Sequence, residues 1–342
     1  MSAPFTYPAV RRGDHSETLH GKEIKDPYRW LEDPDSAETK TFVEEQNKLF
    51  QSFVAGSAYK DKIKGKVTEM FNYERFGCPF KRGDSYYYFH NSGLQQQSVL
   101  YKQDSLTSEP KVFLDPNAMS TDGTISLRTY EFSESGKYFA YGLSSNGSDW
   151  MKIHVRETRD SAPLDMEESP VEWAKFTGMS WTHDDKGFFY LRYPKPVSSD
   201  KAGTDTSAST DSKLMYHRIG TPQSADVQIH ADPANPTHMF GGYVSDDGKY
   251  LIITTFESCA PANMVAIVDL EKEDAKNGRK GLVGAPDLVK IVDKFEAEYH
   301  YTPAGFSGAA RCLHTSVQSS CRTWGWVRRG EGAISGGIAK EW

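Results

Sequence analysis

The sequence Tyr-Val-Ser-Asp-Asp-Gly-Lys-Tyr-Leu-Ile at residues 243–252 combines a polar turn with the start of a strand. Gly248 supplies the positive φ that a tight turn needs, and the preceding aspartates can hydrogen bond to the backbone one or two residues further on. Residues 249–255 are predicted to continue as a strand. The stretch therefore indicates a hydrogen-bonded turn that leads directly into a strand.

Three other places in the chain carry the same unit. Residues 132–141 have the same form, residues 181–190 have one residue inserted, and residues 81–88 are a weaker copy. The glycines recur at intervals of roughly fifty to sixty residues, the spacing of propeller blades that are built from four short strands each. The repeat therefore predicts a mainly β fold, an incomplete β-propeller with about four to five blades.

Three short strands can be placed in each unit from the pattern of β-branched and aromatic residues. They are residues 86–90, 98–102 and 110–114; then 138–143, 151–157 and 172–173; then 187–192, 213–218 and 227–230; and finally 250–255, 264–270 and 288–292. A fifth unit would start near Tyr299. The polar insert at residues 195–212 is assigned to a mobile loop.

Two amphipathic helices precede the repeats. The first is expected to start behind Asp35 as its N-cap and to end at Gly56, and the second to span residues 59–73. Their apolar stripes contain Phe42, Leu49 and Phe53 in the first helix and Ile63, Val67, Met70 and Phe71 in the second. Such stripes could bind a partner, but they more often belong to a core.

Composition excludes several classes of function. The net charge of -7 and the pI of about 5.8 give no electrostatic case for nucleic acid or anionic membranes. The four cysteines have no metal-ligand spacing and are too few for a disulfide scaffold, so reduced thiols are expected. There is no apolar signal core and no run long enough to span a bilayer. We predict a cytoplasmic location, no metal site and no cofactor.

Several motifs jointly resemble the prolyl oligopeptidase family. They are the sequences at residues 26–33, 72–75, 179–184 and 245–248, and the likeness runs from about residue 7 to residue 301. The resemblance implies an N-terminal segment that wraps onto an α/β-hydrolase domain and a seven-bladed propeller that caps the active site. It also implies a serine peptidase that cleaves short peptides after proline, and some relatives join peptide ends into rings.

The resemblance also implies a substrate pocket that is partly lined by the propeller. The matching residues are Phe176, Met239 or Phe240, and Cys259, and the register at residues 239–240 stays open. The residue types alone give these positions no catalytic role, because Phe and Met are common in hydrophobic cores and a Cys is commonly a small buried apolar residue. In an intact homologue they would narrow the pocket around an apolar side chain next to proline.

The catalytic serine of such a peptidase would need a Gly-x-Ser-x-Gly elbow, followed by an acid and a histidine. No Gly-x-Ser-x-Gly occurs among the 342 residues. Ser307 and Ser335 stand in incomplete versions of the motif and are interpreted as loop serines. His183 beside Asp184 could suggest a base held by a carboxylate, although structural hydrogen bonding in a repeated turn is the better account. We identify no catalytic residue and predict that the chain is inactive alone.

The sequence predicts three parts: an N-terminal segment with two helices at residues 1–74, a partial propeller at residues 75–301, and a divergent tail at residues 302–342. The tail is rich in Gly, Ser and Arg and lacks both strand alternation and helical spacing. We expect it to be disordered, as an out-of-frame or mis-spliced extension would be. The alternative is a regulatory tail whose arginines bind an acidic partner: Arg311, Arg322, Arg328 and Arg329.

Two functions from different classes follow. The chain is either the N-terminal and propeller portion of a prolyl oligopeptidase-like peptidase, with short proline-containing peptides as partners, or a non-catalytic propeller that binds peptides or a protein. An arc of four or five blades leaves its terminal blades without neighbours, and the helices would lack the hydrolase surface. We therefore expect marginal stability and self-association. Peptide preference, and hydrolysis versus ring formation, stay undecided.

Overall fold

The computed structural model describes residues 5–196 and 209–302, and the strands at 311–315, 323–329 and 333–338; side chains are described up to residue 301. The chain divides into two compact units. The first comprises Met1–Arg75 with Ser92–Leu94, and the second comprises Phe76–Asn91 with Gln95–Trp342. The three predicted domain bounds stay a prediction.

The first unit contains a hairpin and two helices. Its elements are β1 (Ser16–Leu19), β2 (Lys22–Lys25), a 3-10 helix at Arg29–Glu32, α1 (Ala37–Ala55) and α2 (Lys60–Phe71). The N-cap of α1 is Ser36, whose Oγ accepts a hydrogen bond from the Thr39 amide at 3.1 Å. The expected cap at Asp35 was wrong, because the Asp35 amide instead donates to Asp33 Oδ1 in a preceding turn.

The apolar stripe of α2 and part of that of α1 are exposed in the described chain. Phe53 is 63% exposed and Met70 is 64% exposed, and other apolar residues of the two helices are similarly open to solvent: Val43, Phe50, Ile63, Val67 and Phe71. Phe42 and Leu49 of the α1 stripe are half-buried. The default interpretation of the stripes as core therefore does not hold for α2 and holds only in part for α1. Within the described residues, no helix has both the length and the hydropathy that a membrane crossing requires.

The second unit consists of antiparallel blades in which consecutive strands are neighbours. The first blade contains β4 (Phe80–Arg82), β5 (Ser85–Asn91), β6 (Val99–Gln103) and β7 (Lys111–Leu114), with the short strand β3 (Arg75–Phe76) before it; the second contains β8 (Ser126–Phe132), β9 (Tyr138–Ser144), β10 (Trp150–Glu157) and β11 (Val171–Lys175); the third contains β12 (Ser180–Trp181), β13 (Gly187–Arg192), β14 (Lys213–Arg218) and β15 (Val227–Ala231). The fourth contains β16 (Met239–Val244), β17 (Tyr250–Phe256), β18 (Met264–Asp269) and β19 (Val289–Val292), with α3 (Leu270–Lys276) after β18.

A further sheet joins β20 (Tyr299–Thr302) to β21 (Arg311–Thr315), β22 (Thr323–Arg329) and β23 (Ala333–Ile338). The sequence predicts no strand after residue 302, whereas the structure has three in that segment. The glycines within β22 and β23 interrupt any alternation, which is why the pattern gave no signal. The polar insert lies largely outside the described residues, as do Arg322 and Ser307. Ser335 lies on β23, so its interpretation as a loop serine was wrong.

The fold is thus a mainly β, incomplete propeller with five described blades, as the repeated turns predicted. The predicted strands coincide with the second, third and fourth strands of the first four blades. The first strand was missed in each blade because its pattern is weak. For example, β8 is partly exposed on both faces, β12 has only two residues, and β16 contains Gly241 and Gly242.

The second, third and fourth blades bury side chains on both faces, and these side chains hold neighbouring blades together. In β13, Phe188 and Tyr190 pack toward the second blade, while Phe189 and Leu191 pack toward the fourth blade. All four are at most 2% exposed. Because successive side chains of a strand point to opposite faces, this continuous apolar run is what a sheet between two neighbouring sheets requires.

The repeated turns connect the first two strands of the blades and contact one another. In the turn at 245–248, Ser245 Oγ accepts from the Tyr250 amide at 3.0 Å, and Ser133 does the same for Tyr138 at 3.1 Å. Gly136 lies so close to the first turn that a Cβ on it would be 2.5 Å from the Gly83 nitrogen. Glycine is therefore required here both for its φ of +75° and for this approach.

A buried ion cluster links the second and third blades. His217 Nδ1 is 2.7 Å from Asp226 Oδ1, and its Nε2 is 3.9 Å from Glu167 Oε1, a residue of the connection between β10 and β11. Tyr190 donates to the other Asp226 oxygen at 2.6 Å. Burial lowers the pKa of His217, but the hydrogen bonds and charges of the two carboxylates outweigh it and raise this pKa to about 9.

We predict that Gly136→Ala destabilises the chain more than Gly147→Ala. Both glycines have positive φ, 75° and 71°, but a Cβ at Gly147 would meet nothing within 4 Å. The control change should therefore lower the free energy of unfolding by about 1–2 kcal/mol, the strain of the left-handed conformation alone. Gly136→Ala should lower it by about 1–3 kcal/mol more, because the neighbouring turn must move. Urea unfolding measures both, and equal losses would contradict the contact between turns.

We also predict that the stability supplied by His217 depends on pH. Its pKa is about 9 in the folded chain and about 6.5 when unfolded, so its contribution is complete below pH 6.5 and disappears as the pH rises through 9. The difference in unfolding free energy between the parent and His217→Gln should therefore shrink by roughly 2–3 kcal/mol between pH 6 and pH 10. A difference that stays constant over this range would show that His217 is not protonated in the folded chain.

Candidate functional site

A cavity of about 650 Å³ lies between the third and fourth blades. Its walls come from the connection between β11 and β12, from the interiors of β13 and β14, and from β16 with the end of β17. Phe176, Met239 and Cys259, the three residues that the family resemblance singled out, all line it. The other lining residues are Thr177, Gly178, Met179, Ser180, Phe189, Tyr190, Leu191, Leu214, Phe240, Gly241, Gly242, Tyr243 and Phe256.

Phe176 is held at the rim of this cavity by unusual backbone geometry. Its φ is +49°, and that of Trp173 three residues earlier is +62°. Positive φ is rare for bulky residues, so the surrounding structure must stabilise it. Immediately after Phe176, the Thr177 hydroxyl accepts a hydrogen bond from the Leu191 amide at 2.8 Å. Phe176 is consequently 53% exposed at a fixed place instead of packing into a blade.

Met239 and Phe240 both line the cavity, so the choice between them that the sequence left open stays a prediction. Met239 opens β16 and pairs with Phe256. Phe240 is buried, and its ring packs edge-on against His230 at 4.7 Å between centroids. Met239 is therefore the half-buried, adaptable side chain of the pair, whereas Phe240 forms part of the floor.

Cys259 lies in the loop between β17 and β18 as an exposed free thiol. The expectation of a small buried side chain was thus wrong for the described chain. The physical reason is its position in a loop beyond the last residue of β17, where the Ser258 hydroxyl accepts from the Ala260 amide at 3.1 Å and closes a local turn. Cys259 is available to contact a ligand in the cavity.

Gly241 and Gly242 lie inside β16. A Cβ on Gly241 would be 2.7 Å from Thr254 Oγ1, and one on Gly242 would be 2.9 Å from a Leu214 methyl carbon. Only glycine permits this approach of β16 to its neighbours. Sequence reasoning missed their role because the contacting residues come from two other strands.

The described lining of the cavity is suited to binding and not to proton transfer. Its side chains are mainly apolar, and the groups that can ionise there are Tyr190, Tyr243 and Cys259. Burial and the Asp226 carboxylate raise the pKa of Tyr190, and burial with Asp246 raises that of Tyr243 to about 12. General acid–base catalysis near neutral pH needs a pKa near 7. These hydroxyls therefore stay protonated and can only form hydrogen bonds.

Asp184 has a structural role, as the position of His183 in a repeated turn suggested. Asp184 Oδ1 accepts from the Thr182 hydroxyl at 2.7 Å and from the Lys186 amide at 3.2 Å, and its other oxygen pairs with the Lys186 ammonium at 2.9 Å. His183 instead packs against Gly248 of the neighbouring turn. Over the described ranges, no group of three or more His, Cys, Asp or Glu residues is arranged to hold a metal ion.

A second cavity, of about 390 Å³, lies on the second blade and escaped the sequence analysis. Trp150 and Trp173 line it, with ring centroids 5.9 Å apart in an edge-to-face arrangement. Lys152 and Glu172 also line it and form an ion pair at 2.7 Å. The signal that could have revealed it is the pair of tryptophans on strands that the sequence already placed in one unit.

Comparisons with known proteins match this architecture. The family model described as prolyl oligopeptidase, N-terminal β-propeller domain, matches residues 8–307. Prolyl oligopeptidase A of Amanita bisporigera is 37% identical over 322 residues, which is 86% of this chain and 41% of the relative. A prolyl endopeptidase of Elizabethkingia meningoseptica is 38% identical over 292 residues, 85% of this chain and 38% of the relative. The chain thus spans about two fifths of these relatives.

A solved structure agrees. Prolyl oligopeptidase B from Galerina marginata, bound to a 35mer hydrolysis and macrocyclization substrate, superposes with a TM-score of 0.80 and 28% identity. The match covers 99% of this chain and 49% of that one. The family model spans most of the chain, and the propeller sheets and the sequence motifs support the same family assignment. The chain therefore belongs to the prolyl oligopeptidase family, in its N-terminal β-propeller domain.

Proposed function

We propose that this chain is the propeller portion of a prolyl oligopeptidase-type serine peptidase and that its larger cavity receives short proline-containing peptides. One observation carries the proposal: Phe176, Met239 and Cys259 are far apart in sequence yet line one cavity. An apolar wall with an exposed aromatic ring and a thioether suits an apolar side chain next to proline. The names of the relatives, prolyl endopeptidase and prolyl oligopeptidase, support the substrate class.

In this proposal the chain binds peptide and does not itself cleave it. The raised pKa values of Tyr190 and Tyr243 keep these hydroxyls of the lining protonated near neutral pH, and the 342 residues contain no Gly-x-Ser-x-Gly elbow. The chemistry would belong to a Ser-Asp-His hydrolase unit of the whole peptidase. The same two observations favour the second candidate, a non-catalytic propeller that binds peptides, and the two candidates share the first experiments.

Alkylation of Cys259 gives a direct test of peptide binding. A blocked proline-containing peptide at about ten times its Kd should slow iodoacetamide labelling of Cys259 about tenfold, because only the free cavity exposes the thiol. Cys78 is an equally free and exposed thiol and is absent from the cavity lining, so it serves as the internal control. Mass spectrometry separates the two sites. Equal rates with and without peptide at Cys259 would reject the cavity as the binding site.

Phe176→Ala should weaken binding of the same peptide by about 1–2 kcal/mol, the value of a partly buried aromatic contact. Leu106→Ala is the matched control, because Leu106 is similarly exposed, at 60%, and lies away from the cavity. Calorimetry with the purified chain measures both.

A proline-specific chromogenic peptide should show no turnover with the purified chain. Turnover that copurifies with the chain through all steps would contradict a purely binding role.

We also propose that the chain self-associates through the exposed stripes of α1 and α2, since contiguous apolar patches favour association. Sedimentation equilibrium should give a mean mass that rises with concentration. The double change Phe50→Lys and Phe53→Lys should shift the mass toward the monomer, whereas Leu106→Lys should not. A monomer at all concentrations would refute this.

The two exposed free thiols, Cys78 and Cys259, support a reducing compartment, and we propose the cytoplasm.

A further inference from the structure

The last residues of β11 bury a lysine where an exposed side chain would be expected. Ala174 and Lys175 are adjacent, yet they are only 0% and 7% exposed. Successive strand residues normally point to opposite faces. The positive φ of Trp173 and the register shift between β10 and β11 break this alternation. Strained backbone of this kind tends to occur at binding sites, which makes the lysine a candidate for function.

The ammonium of Lys175 lies among aromatic rings. It is 5.0 Å from the ring centroid of Trp150 and 5.1 Å from that of Phe176. In the part of the chain that the structure describes, these are its contacts, and no carboxylate forms an ion pair with it. The nearby Glu172 is instead paired with Lys152. Cation–π contacts contribute roughly 0.5–2 kcal/mol, whereas removing an ammonium from water costs several kcal/mol, so its charge is only partly compensated.

Two further buried donors beside Lys175 have no acceptor. The indole nitrogen of Trp150 and the hydroxyl of Tyr193 are both buried without a hydrogen-bond partner. Their rings are in edge-to-face contact at 6.2 Å. Burial raises the pKa of Tyr193 to about 12, so its hydroxyl keeps its proton near neutral pH. Buried polar groups nearly always have partners. Here the Lys175 ammonium lies near the Trp150 ring, and the indole nitrogen of that ring and the hydroxyl of the tyrosine packed on it have no hydrogen-bond partner.

We propose that Lys175, Trp150 and Tyr193 form a binding site for a carboxylate group of the peptide. A carboxylate carries the charge opposite to that of Lys175 and only accepts hydrogen bonds, so it complements donors of these kinds. Phe176 connects this site to the peptide cavity, because its ring lines that cavity and contacts the Lys175 ammonium. The inference rests on the proposed peptide binding and adds a substrate class: peptides with a carboxylate close to the residue that packs on Phe176.

The carboxylate could be the C-terminus of the peptide or an acidic side chain, and two matched pairs of blocked peptides distinguish these sources. One pair is acetyl-Phe-Gly-Pro as the free acid and as the amide. The other is acetyl-Glu-Phe-Gly-Pro-amide and its Gln counterpart. In calorimetry with the full chain, we expect the charged member of one pair to bind about tenfold more tightly than its neutral member. The pair that shows this preference identifies the source.

The preference should depend on the Lys175 ammonium alone. Lys175→Met should abolish the preference for the charged member of the pair, and Lys175→Arg should retain most of it. Lys152→Met is the matched control, since Lys152 lies on the same blade but is paired with Glu172; it should keep the preference. Equal affinities of the parent chain for the charged and neutral members of both pairs would overturn the inference while leaving the proposed function intact.

A second measurement does not depend on peptide binding or on a variant that folds. In the parent chain with 13C-labelled lysine, titration with acetate should shift the side-chain signal of Lys175 and not that of Lys152. Failure of every peptide to bind would refute the proposed function, and a shift caused by acetate would still support the carboxylate site. Absence of any acetate shift at Lys175 would show that the buried ammonium only packs against the rings, and would overturn the site.

Discussion

Burial of both faces of the second, third and fourth blades is the constraint on which this structure depends. A strand such as β13 places Phe188 and Tyr190 on one side and Phe189 and Leu191 on the other, and none of these side chains can face water without a large loss of hydrophobic stabilisation. The sheets must therefore stack. The close turns, the buried His217 cluster and the cavity between the third and fourth blades are all consequences of that stacking.

Sequence was informative about the blades because the signal is local. A polar turn with a glycine, followed by a strand, appears in each of the first four units, and the strands β13 and β14 were placed without error. The first strand of each blade and the strands after residue 302 were missed. Their partners lie in other strands, and their own residues, such as Gly241 and Gly242, carry no periodic pattern.

The site was predictable only where a family resemblance supplied it. Phe176, Met239 and Cys259 would be unremarkable core or loop residues on composition alone, yet they line one cavity. Lys175 gave no signal, because a lysine near the end of a strand normally reaches solvent. Its burial results from the left-handed conformation of Trp173 and the irregular pairing of β10 with β11, which no local pattern reveals.

The connection between β11 of the second blade and β12 of the third blade is held by hydrogen bonds on both sides of Phe176. Ala174 pairs with Arg192, and the Thr177 hydroxyl accepts from the Leu191 amide, so this wall of the cavity is tied to β13 just before and just after the aromatic ring. The opposite wall ends in the loop of Cys259, which is closed beside the thiol by a local hydrogen bond and is tied at its far end by Asn263 to Ala297 and Tyr299. Both walls are therefore anchored to neighbouring strands, and a ligand that enters the cavity would meet the Phe176 ring at a fixed position.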